Sequence, residues 1–380
     1  MKQIKFFPVH MTRSDRIIRT SEGKKQAMPN TTVLLVTEES LAGFIATALI
    51  ATGMSQSDAD RISRLMAEAD AIGSDGHGVF RLDQYVRRIQ AGGINTHPNI
   101  RIAQERTAMA VLDGDNGMGH LVMSRATDLA ITKAKKSGIA WVGARFSNHA
   151  GPASLYARMP LAHNMIGLYV AVGSANHLPP WGGTEMLLST NPIAIAIPSK
   201  SMPPIVLDMA TTVAAYGKVK TKAQRGEAMP EGWMIDRHGK PLTDATRADE
   251  GFLLPIGGPK GYGLALMFGL LAGTLNGAAF GNDVVDFNAD DTSITNTGHF
   301  IVALDIAAFT DVNSFKSEVD DIWSTMKSSS LLPGFDEIRL PGERLAKVAT
   351  QRRTNGIPIH GTLQTVLNRL AKELNILPLT

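Results

Sequence analysis

The chain contains no cysteine. That removes disulfides, thiolate metal sites and cysteine nucleophiles, and it fits a reducing, cytoplasmic setting. Aromatic residues make up only 6%, and no basic stretch interleaves with them as a nucleic-acid stacking surface requires. The charge imbalance is slight, formally +3, too small to imply a polyanionic partner. No charge-free apolar run approaches the ~18 residues of a membrane span. The dinucleotide fingerprint G-x-G-x-x-G is missing: after Gly76 and Gly78 the third position is Arg81, and Gly261-Tyr262-Gly263 is followed by Leu266. A Rossmann site is therefore unsupported. The phosphate loop, the H-E-x-x-H zinc helix and the G-x-S-x-G elbow are absent too. Ten histidines are scattered without ligand spacing, so no metal is expected.

What is present is an ordinary globular composition, 44% hydrophobic and 19% charged over 380 residues. That length exceeds the usual single domain and predicts two lobes. Residues 1–32 carry several lysines and arginines without a pattern, and a poorly ordered extension is expected there. Leu41, Phe44, Ile45, Ala48 and Leu49 recur at helical spacing up to Gly53. A second helix is expected with Ser57 as its N-cap and Asp60 three residues on. A third runs from Arg81 to about Gln90 and stops at Ala91-Gly92-Gly93.

From residue 108 the rhythm changes. Strands are predicted at 108–112, 139–142, 165–172, 193–197, 205–207 and 300–304, with helices at 122–137 and 261–276 and closing helices at 313–328 and 361–374. Helices, then mixed elements, then helices predict an α/β core with a mixed sheet and a helical layer built from both chain ends. The expected division is a helical substrate-side domain over 33–107, completed by 311–380, and an α/β cofactor-binding domain over 108–310.

The richest stretch is Ser74-Asp75-Gly76-His77-Gly78-Val79-Phe80-Arg81-Leu82-Asp83-Gln84-Tyr85. If Arg81 opens a helix, Tyr85 lies one turn on, on the same face. A guanidinium fork binds a carboxylate in bidentate fashion, and an imidazole moves a proton near neutral pH. By spacing alone the commoner reading of these residues is a solvated helix face and a turn histidine. Their company decides. Ser147-Asn148-His149-Ala150-Gly151 follows a strand; then come Thr190-Asn191-Pro192, Asp208-Met209-Ala210-Thr211-Thr212, Gly217-Lys218, Met229-Pro230-Glu231-Gly232-Trp233, and Pro255-Ile256-Gly257-Gly258-Pro259-Lys260-Gly261-Tyr262-Gly263-Leu264-Ala265.

As a set, in this order, these segments resemble the second-type malate/L-lactate dehydrogenase family, over about residues 37–362. That family also holds ureidoglycolate and sulfolactate dehydrogenases and the piperideine/pyrroline-2-carboxylate reductases. The resemblance implies a non-Rossmann NAD(P)-binding fold, a homodimer, and oxidoreduction of a small 2-hydroxy acid and its 2-oxo partner, with NAD placed ahead of NADP. It implies His149 as acid/base, Arg81 as carboxylate clamp, Tyr85 as a substrate-side hydroxyl and His77 as a second histidine beside the substrate. Ser174, Asp208, Met209, Ala210, Lys218, Gly258 and Lys260 fall on cofactor-lining segments. One departure stands out: Gly76 occupies the place of the family's serine before the histidine, which removes a hydroxyl and about 1 kcal/mol of hydrogen bonding. Thr212 for the motif's serine keeps its hydroxyl. Two alternatives remain open at this point: reduction of a cyclic imino acid, and a catalytically weak cofactor-binding member.

Overall fold

The computed structural model describes residues 33–224 and 226–380; the extension expected over 1–32 lies outside them. The chain opens with β1 (Leu34–Val36), α1 (Glu38–Ala51), α2 (Gln56–Ala71) and α3 (Leu82–Gln90). Next come β2 (Arg101–Arg106), β3 (Met109–Asp113), α4 (Gly119–Ser137), β4 (Ile139–Ser147), α5 (Ser154–Arg158) and β5 (Met165–Ala171). Then follow β6 (Asn176–Leu178), β7 (Leu188–Ser189), β8 (Ile193–Ile197), β9 (Ile205–Met209), α6 (Tyr216–Gln224), β10 (Met234–Asp236) and β11 (Gly251–Leu253). α7 (Pro259–Ala272), β12 (Thr297–Asp305), α8 (Val312–Lys327), α9 (Glu343–Asn355), β13 (Ile357–Ile359) and α10 (Gly361–Glu373) complete it.

Seven strands form one mixed sheet in the order β2-β3-β4-β12-β5-β8-β9. Only β3 and β4 run parallel; every other pairing in this sheet is antiparallel. The α/β class with a mixed sheet is thus as the sequence led us to expect. Alternation explains its two faces. Ala140, Val142, Ala144, Tyr169, Ile301 and Ala303 point to one side and pack with α4 and α5. Trp141, Val170, Phe300 and Val302 point to the other, against Phe268 and Ala272 of α7; Trp141 and Phe300 stack with centroids 3.9 Å apart.

A second core joins the chain ends. Residues of α1, α2 and α3 share it with Ile357, Ile359, Leu367 and Leu370, and β1 pairs antiparallel with β13. α8 stands apart from this layer. Asp320 accepts the N–H groups of Lys200 and Ser201, and Lys316 reaches Asn164, so α8 is fastened to the sheet portion. Of the segment 311–380, it is α9, β13 and α10 that join the N-terminal helices.

Local differences from the sequence reading have simple causes. The α2 cap is Ser55 rather than Ser57: its hydroxyl accepts the N–H of Asp58 at 3.3 Å. β4 extends to Ser147, so Asn148 and His149 follow it without a gap. β2 escaped notice because it is a polar strand exposed throughout at the sheet edge, where no apolar alternation is needed. Among the described residues no helix is long and apolar enough to cross a membrane.

Candidate active site

Four segments converge where the helical layer meets the end of β4. The first is the turn between α2 and α3. Asp70, buried near the end of α2, accepts the N–H of Val79 at 2.7 Å, and a Cβ on Gly78 would collide with its carboxylate. Burial pushes this carboxyl up to about 8. Asp70 thereby pins the turn that presents His77 and Arg81. Arg81 caps the start of α3, and Tyr85 lies one turn in.

The second segment is Asn148-His149. The Asn148 amide donates to the Asn116 and Gly117 carbonyls at 3.1 and 3.0 Å and accepts from Thr295 at 3.1 Å. His299 Nε2 donates to the Asn148 carbonyl at 3.2 Å, and Tyr169 bonds His299 Nδ1 at 2.8 Å. The third is the start of α4, where Gly119 is required: a Cβ there would lie 2.1 Å from the Asn148 carbonyl oxygen. That close approach brings His120 against Tyr85, edge-on at 5.6 Å. The fourth is the loop after α7. Phe287 lies 5.4 Å from the His149 ring and 5.7 Å from Tyr85, and the fully buried Arg88 sits over it at 4.8 Å.

Tyr85 Oη bonds His149 Nδ1 at 2.6 Å, which leaves Nε2 as the nitrogen available for chemistry. His77 stacks beside His149 at 5.6 Å. Arg81 is held by the Gly76 carbonyl (3.1 Å), Gln84 Oε1 (2.7 Å) and Asn288 Oδ1 (2.9 Å). All three acceptors are neutral, and among the described residues Arg81 has no acidic partner. Burial, reinforced by the Arg81 charge and then by His77, His120 and His299, holds His149 well below the ordinary histidine value. Burial likewise brings His77 to about 4 and His120 to about 3. The arrangement is a neutral imidazole beside a cation that lacks an anion.

The remaining expected residues lie on segments that are tied together. Gly173, just before Ser174, donates to Asn191 Oδ1 at 3.0 Å, and Asn191 Nδ2 donates to the Ala265 carbonyl at 2.7 Å. Thr211 bonds the Thr190 carbonyl, and Ile256 N–H bonds the Thr211 carbonyl. Ser174, the stretch Asp208–Ala210 and the Gly258–Lys260 turn are thus gathered. The Ser174 carbonyl accepts the Phe287 N–H at 2.9 Å, which joins this group to the histidine cluster. Asp208 accepts the N–H of Ser154 at 3.0 Å, an amide-orienting contact. Lys218 is exposed on α6, with no contact to these segments among its hydrogen bonds.

The malate/L-lactate dehydrogenase family matches residues 36–368. The chain belongs to this family. It is 37% identical to malate dehydrogenase of Pyrococcus abyssi, over 90% of this chain and 95% of that protein. It is 31% identical to ureidoglycolate dehydrogenase (NAD(+)) of Escherichia coli strain K12, over 81% of this chain and 87% of that protein. Among solved structures, sulfolactate dehydrogenase of Methanocaldococcus jannaschii superposes with a TM-score of 0.84 at 35% identity, covering 90% of this chain and 98% of the other.

Members of this dehydrogenase family carry a nicotinamide dinucleotide, and the gathered segments suit one. Gly257 and Gly258 have φ of +57° and +64°, and a Cβ on Gly257 would meet nothing closer than 4.0 Å. The turn leaves open backbone at Gly257, with the Trp181 ring beside Gly258, ahead of the 14-residue α7, whose first turn has no side-chain cap. Free N–H groups and the exposed Lys260 form a donor set fit for a phosphate. His120, Phe287, Asn288 and Arg88 escaped the sequence reading. His120 lies at the start of α4, just ahead of the helix expected over 122–137, Arg88 reads as one more charge on α3, and Phe287 and Asn288 signal nothing until their loop folds back.

Proposed function

We propose that this protein is an NAD(P)-dependent dehydrogenase interconverting a small 2-hydroxy acid and its 2-oxo partner, with NAD as the first-choice cofactor. The supporting observation is Arg81: a half-buried guanidinium whose hydrogen-bond acceptors among the described residues are all neutral oxygens, one turn before a tyrosine bonded to a neutral histidine. A cation drawn partly out of water without an anion is costly, and a substrate carboxylate supplies one.

Arg81 would bind the carboxylate and orient the 2-carbon. His149 Nε2 would take the hydroxyl proton in oxidation and return it to the carbonyl oxygen in reduction. Tyr85 Oη at Nδ1 would fix the ring in both directions and accept from Nδ1–H once the ring is an imidazolium. His77 would form the second wall of the substrate pocket. The bound nicotinamide accepts or supplies the hydride. Ser174, Asp208, Met209, Ala210, Lys218, Gly258 and Lys260 would hold the dinucleotide, with Lys260 and the open start of α7 facing its phosphates.

We propose further that two copies associate through the outer face of α7. Leu264, Met267 and Leu271 follow one another along that helix and Leu275 lies in the turn just after it, and they are 41%, 49%, 38% and 63% exposed in the single chain. An apolar stripe of this kind marks a contact surface.

The test is nicotinamide absorbance with NADH and NADPH against 2-oxo acids and cyclic imino acids, on the wild type, His149→Ala and Arg81→Ala. Turnover of a 2-oxo acid that collapses in both variants supports the reading. Turnover of cyclic imines alone, with His149→Ala still active, overturns it in favour of imine reduction. Cofactor-induced thermal stabilisation without any turnover would leave a binding protein.

A further inference from the structure

The Arg81 guanidinium carries five N–H groups, one on Nε and two on each terminal nitrogen. Their partners are unevenly spread. Nε donates to the Gly76 carbonyl at 3.1 Å. Nη1 donates twice, to Gln84 Oε1 at 2.7 Å and to Asn288 Oδ1 at 2.9 Å. Nη2 makes no hydrogen bond among the described residues. A carboxylate grips a guanidinium with both oxygens across two of its nitrogens. Gly76 occupies the fork between Nε and Nη2, and Gln84 with Asn288 occupies the one between Nη1 and Nη2. The two-nitrogen grip expected of a free guanidinium is closed on both sides, and Nη2 is left.

The acceptors on Nη1 are held firmly. Gln84 is buried, and its amide nitrogen donates to the Phe287 carbonyl at 2.7 Å, so its oxygen has one direction. Asn288 comes from a loop 207 residues further along the chain. Asp286 Oδ1 accepts both the Asn288 N–H at 2.8 Å and the Asn288 Nδ2 at 3.2 Å. With the amide nitrogen tied back, Oδ1 faces Arg81. The fully buried Arg88 holds the rest of this loop: it donates to the Asp290 carbonyl and, at 2.7 Å, to the Ser293 carbonyl, and its guanidinium lies over the Phe287 ring. Gly93, just past α3, completes the seat, because a Cβ there would lie 2.3 Å from the Asp291 carbonyl oxygen.

We infer that Asn288 is a positioning residue for the substrate: it occupies Nη1, so that the substrate carboxylate binds on Nη2 with Asn288 still in place. This rests on the dehydrogenase reading above. The amide oxygen is neutral, so it aims Arg81 without cancelling its charge. A carboxylate at this position would satisfy the guanidinium before substrate arrives. His149 registers the difference. It is faced by His77 and Arg81 from the turn before α3, Tyr85 from α3, His120 from α4 and His299 from β12. Arg81 is the one permanent charge among them.

The experiment measures pyruvate and oxaloacetate kinetics, their pH profiles, and NADH binding by fluorescence titration in the wild type, Asn288→Ala and Asn288→Asp. Asn288→Ala is expected to raise the KM of the 2-oxo acid roughly tenfold, with NADH affinity unchanged. Asn288→Asp, nearly the same shape, sets an anion on Nη1. Its KM should rise roughly a hundredfold, and the pKa seen in kcat/KM should move up toward the one seen in kcat, because the free enzyme then has its Arg81 charge offset. Loss of packing alone would leave that pKa in place, and thermal melting checks that both variants fold. A KM that falls in Asn288→Ala overturns the inference, since the substrate would then be displacing Asn288. So does an Asn288→Asp variant with unchanged KM and pH profile, or a weakening confined to NADH. A wild type that turns over neither 2-oxo acid defeats the dehydrogenase reading itself, a result distinct from an active wild type with indifferent Asn288 variants.

Discussion

The Tyr85 hydroxyl lies 2.6 Å from Nδ1 of His149, although 64 residues separate them in the chain. This contact fixes which ring nitrogen is free. Tyr85→Phe should keep the fold and the apolar packing while removing the acceptor for Nδ1–H. A fall of roughly ten- to hundredfold in kcat is expected, with little change in substrate KM. His149→Ala should cost more, roughly 10²–10⁴. Steady-state kinetics on both variants check the ranking; equal losses would mean that Tyr85 does more than orient the ring.

The Arg81 charge is the second-largest influence holding His149 down. A carboxylate bound to Arg81 offsets that charge, so the imidazole should become more basic in the substrate complex. The pKa seen in the pH profile of kcat should therefore lie above the one seen in kcat/KM, since the first reports the complex and the second the free enzyme. Coincident or reversed values would show that Arg81 and the substrate carboxylate do not meet.

Stability should peak near neutral pH. Five histidines are depressed below 6.5: the buried His120 and His299 and the half-buried His77, His149 and His177. In the unfolded chain they take up protons as pH falls through 6.5, whereas in the folded protein His77, His177 and His299 resist until about 4, His120 until about 3, and His149 is held down in the same direction. Stability is thus present above 6.5 and lost as pH falls from there. Asp70 acts oppositely: its folded value of about 8 lies above the ordinary 3.8, so the unfolded chain releases that proton first and stability declines as pH rises from about 4 to 8. Asp208 has the same sign. A fully buried group contributes a slope of at most about 1.4 kcal/mol per pH unit within its window, and a half-buried one less. Between about 4 and 6.5 the histidines outweigh Asp70; above 6.5 the Asp70 effect continues without them. Thermal melts across pH should show the maximum near 6.5, and Asp70→Asn should flatten the alkaline side.

Gly76 has room for a side chain. A Cβ there meets nothing within 4 Å. Gly76→Ser should therefore change stability by no more than about 0.5 kcal/mol. If the new hydroxyl reaches the substrate, kcat/KM should rise by about fivefold, the worth of one neutral hydrogen bond. Kinetics alongside a melting curve separate the two effects. A large drop in melting temperature would contradict the open space at this position.

Association through α7 predicts a dimer in sedimentation velocity. Met267→Glu, at the middle of the apolar stripe, should halve the mass without unfolding the chain. A wild-type monomer, or a dimer indifferent to this change, would place the interface elsewhere.

Much was legible in the chain because it depends on local periodicity and local chemistry. The alternation in β4, β5 and β12 and the 3.6-residue rhythm of α1, α4 and α10 announce a mixed α/β fold. The missing glycine fingerprint leaves a Rossmann site unsupported, and Arg81 and His149 announce themselves by motif. Capping at Ser55 rather than Ser57 was a local choice between two adjacent hydroxyls, and only the backbone angles settled it. The pairing of Tyr85 with His149, the burial of His120 and the return of Phe287 and Asn288 were of another kind. They join residues from segments far apart, through contacts whose partners carry no shared pattern along the chain. The sequence determined which groups the protein has for chemistry and which elements carry them. Tertiary packing decided which groups meet, and burial, which removes water from the cluster, decided that the histidines meet uncharged.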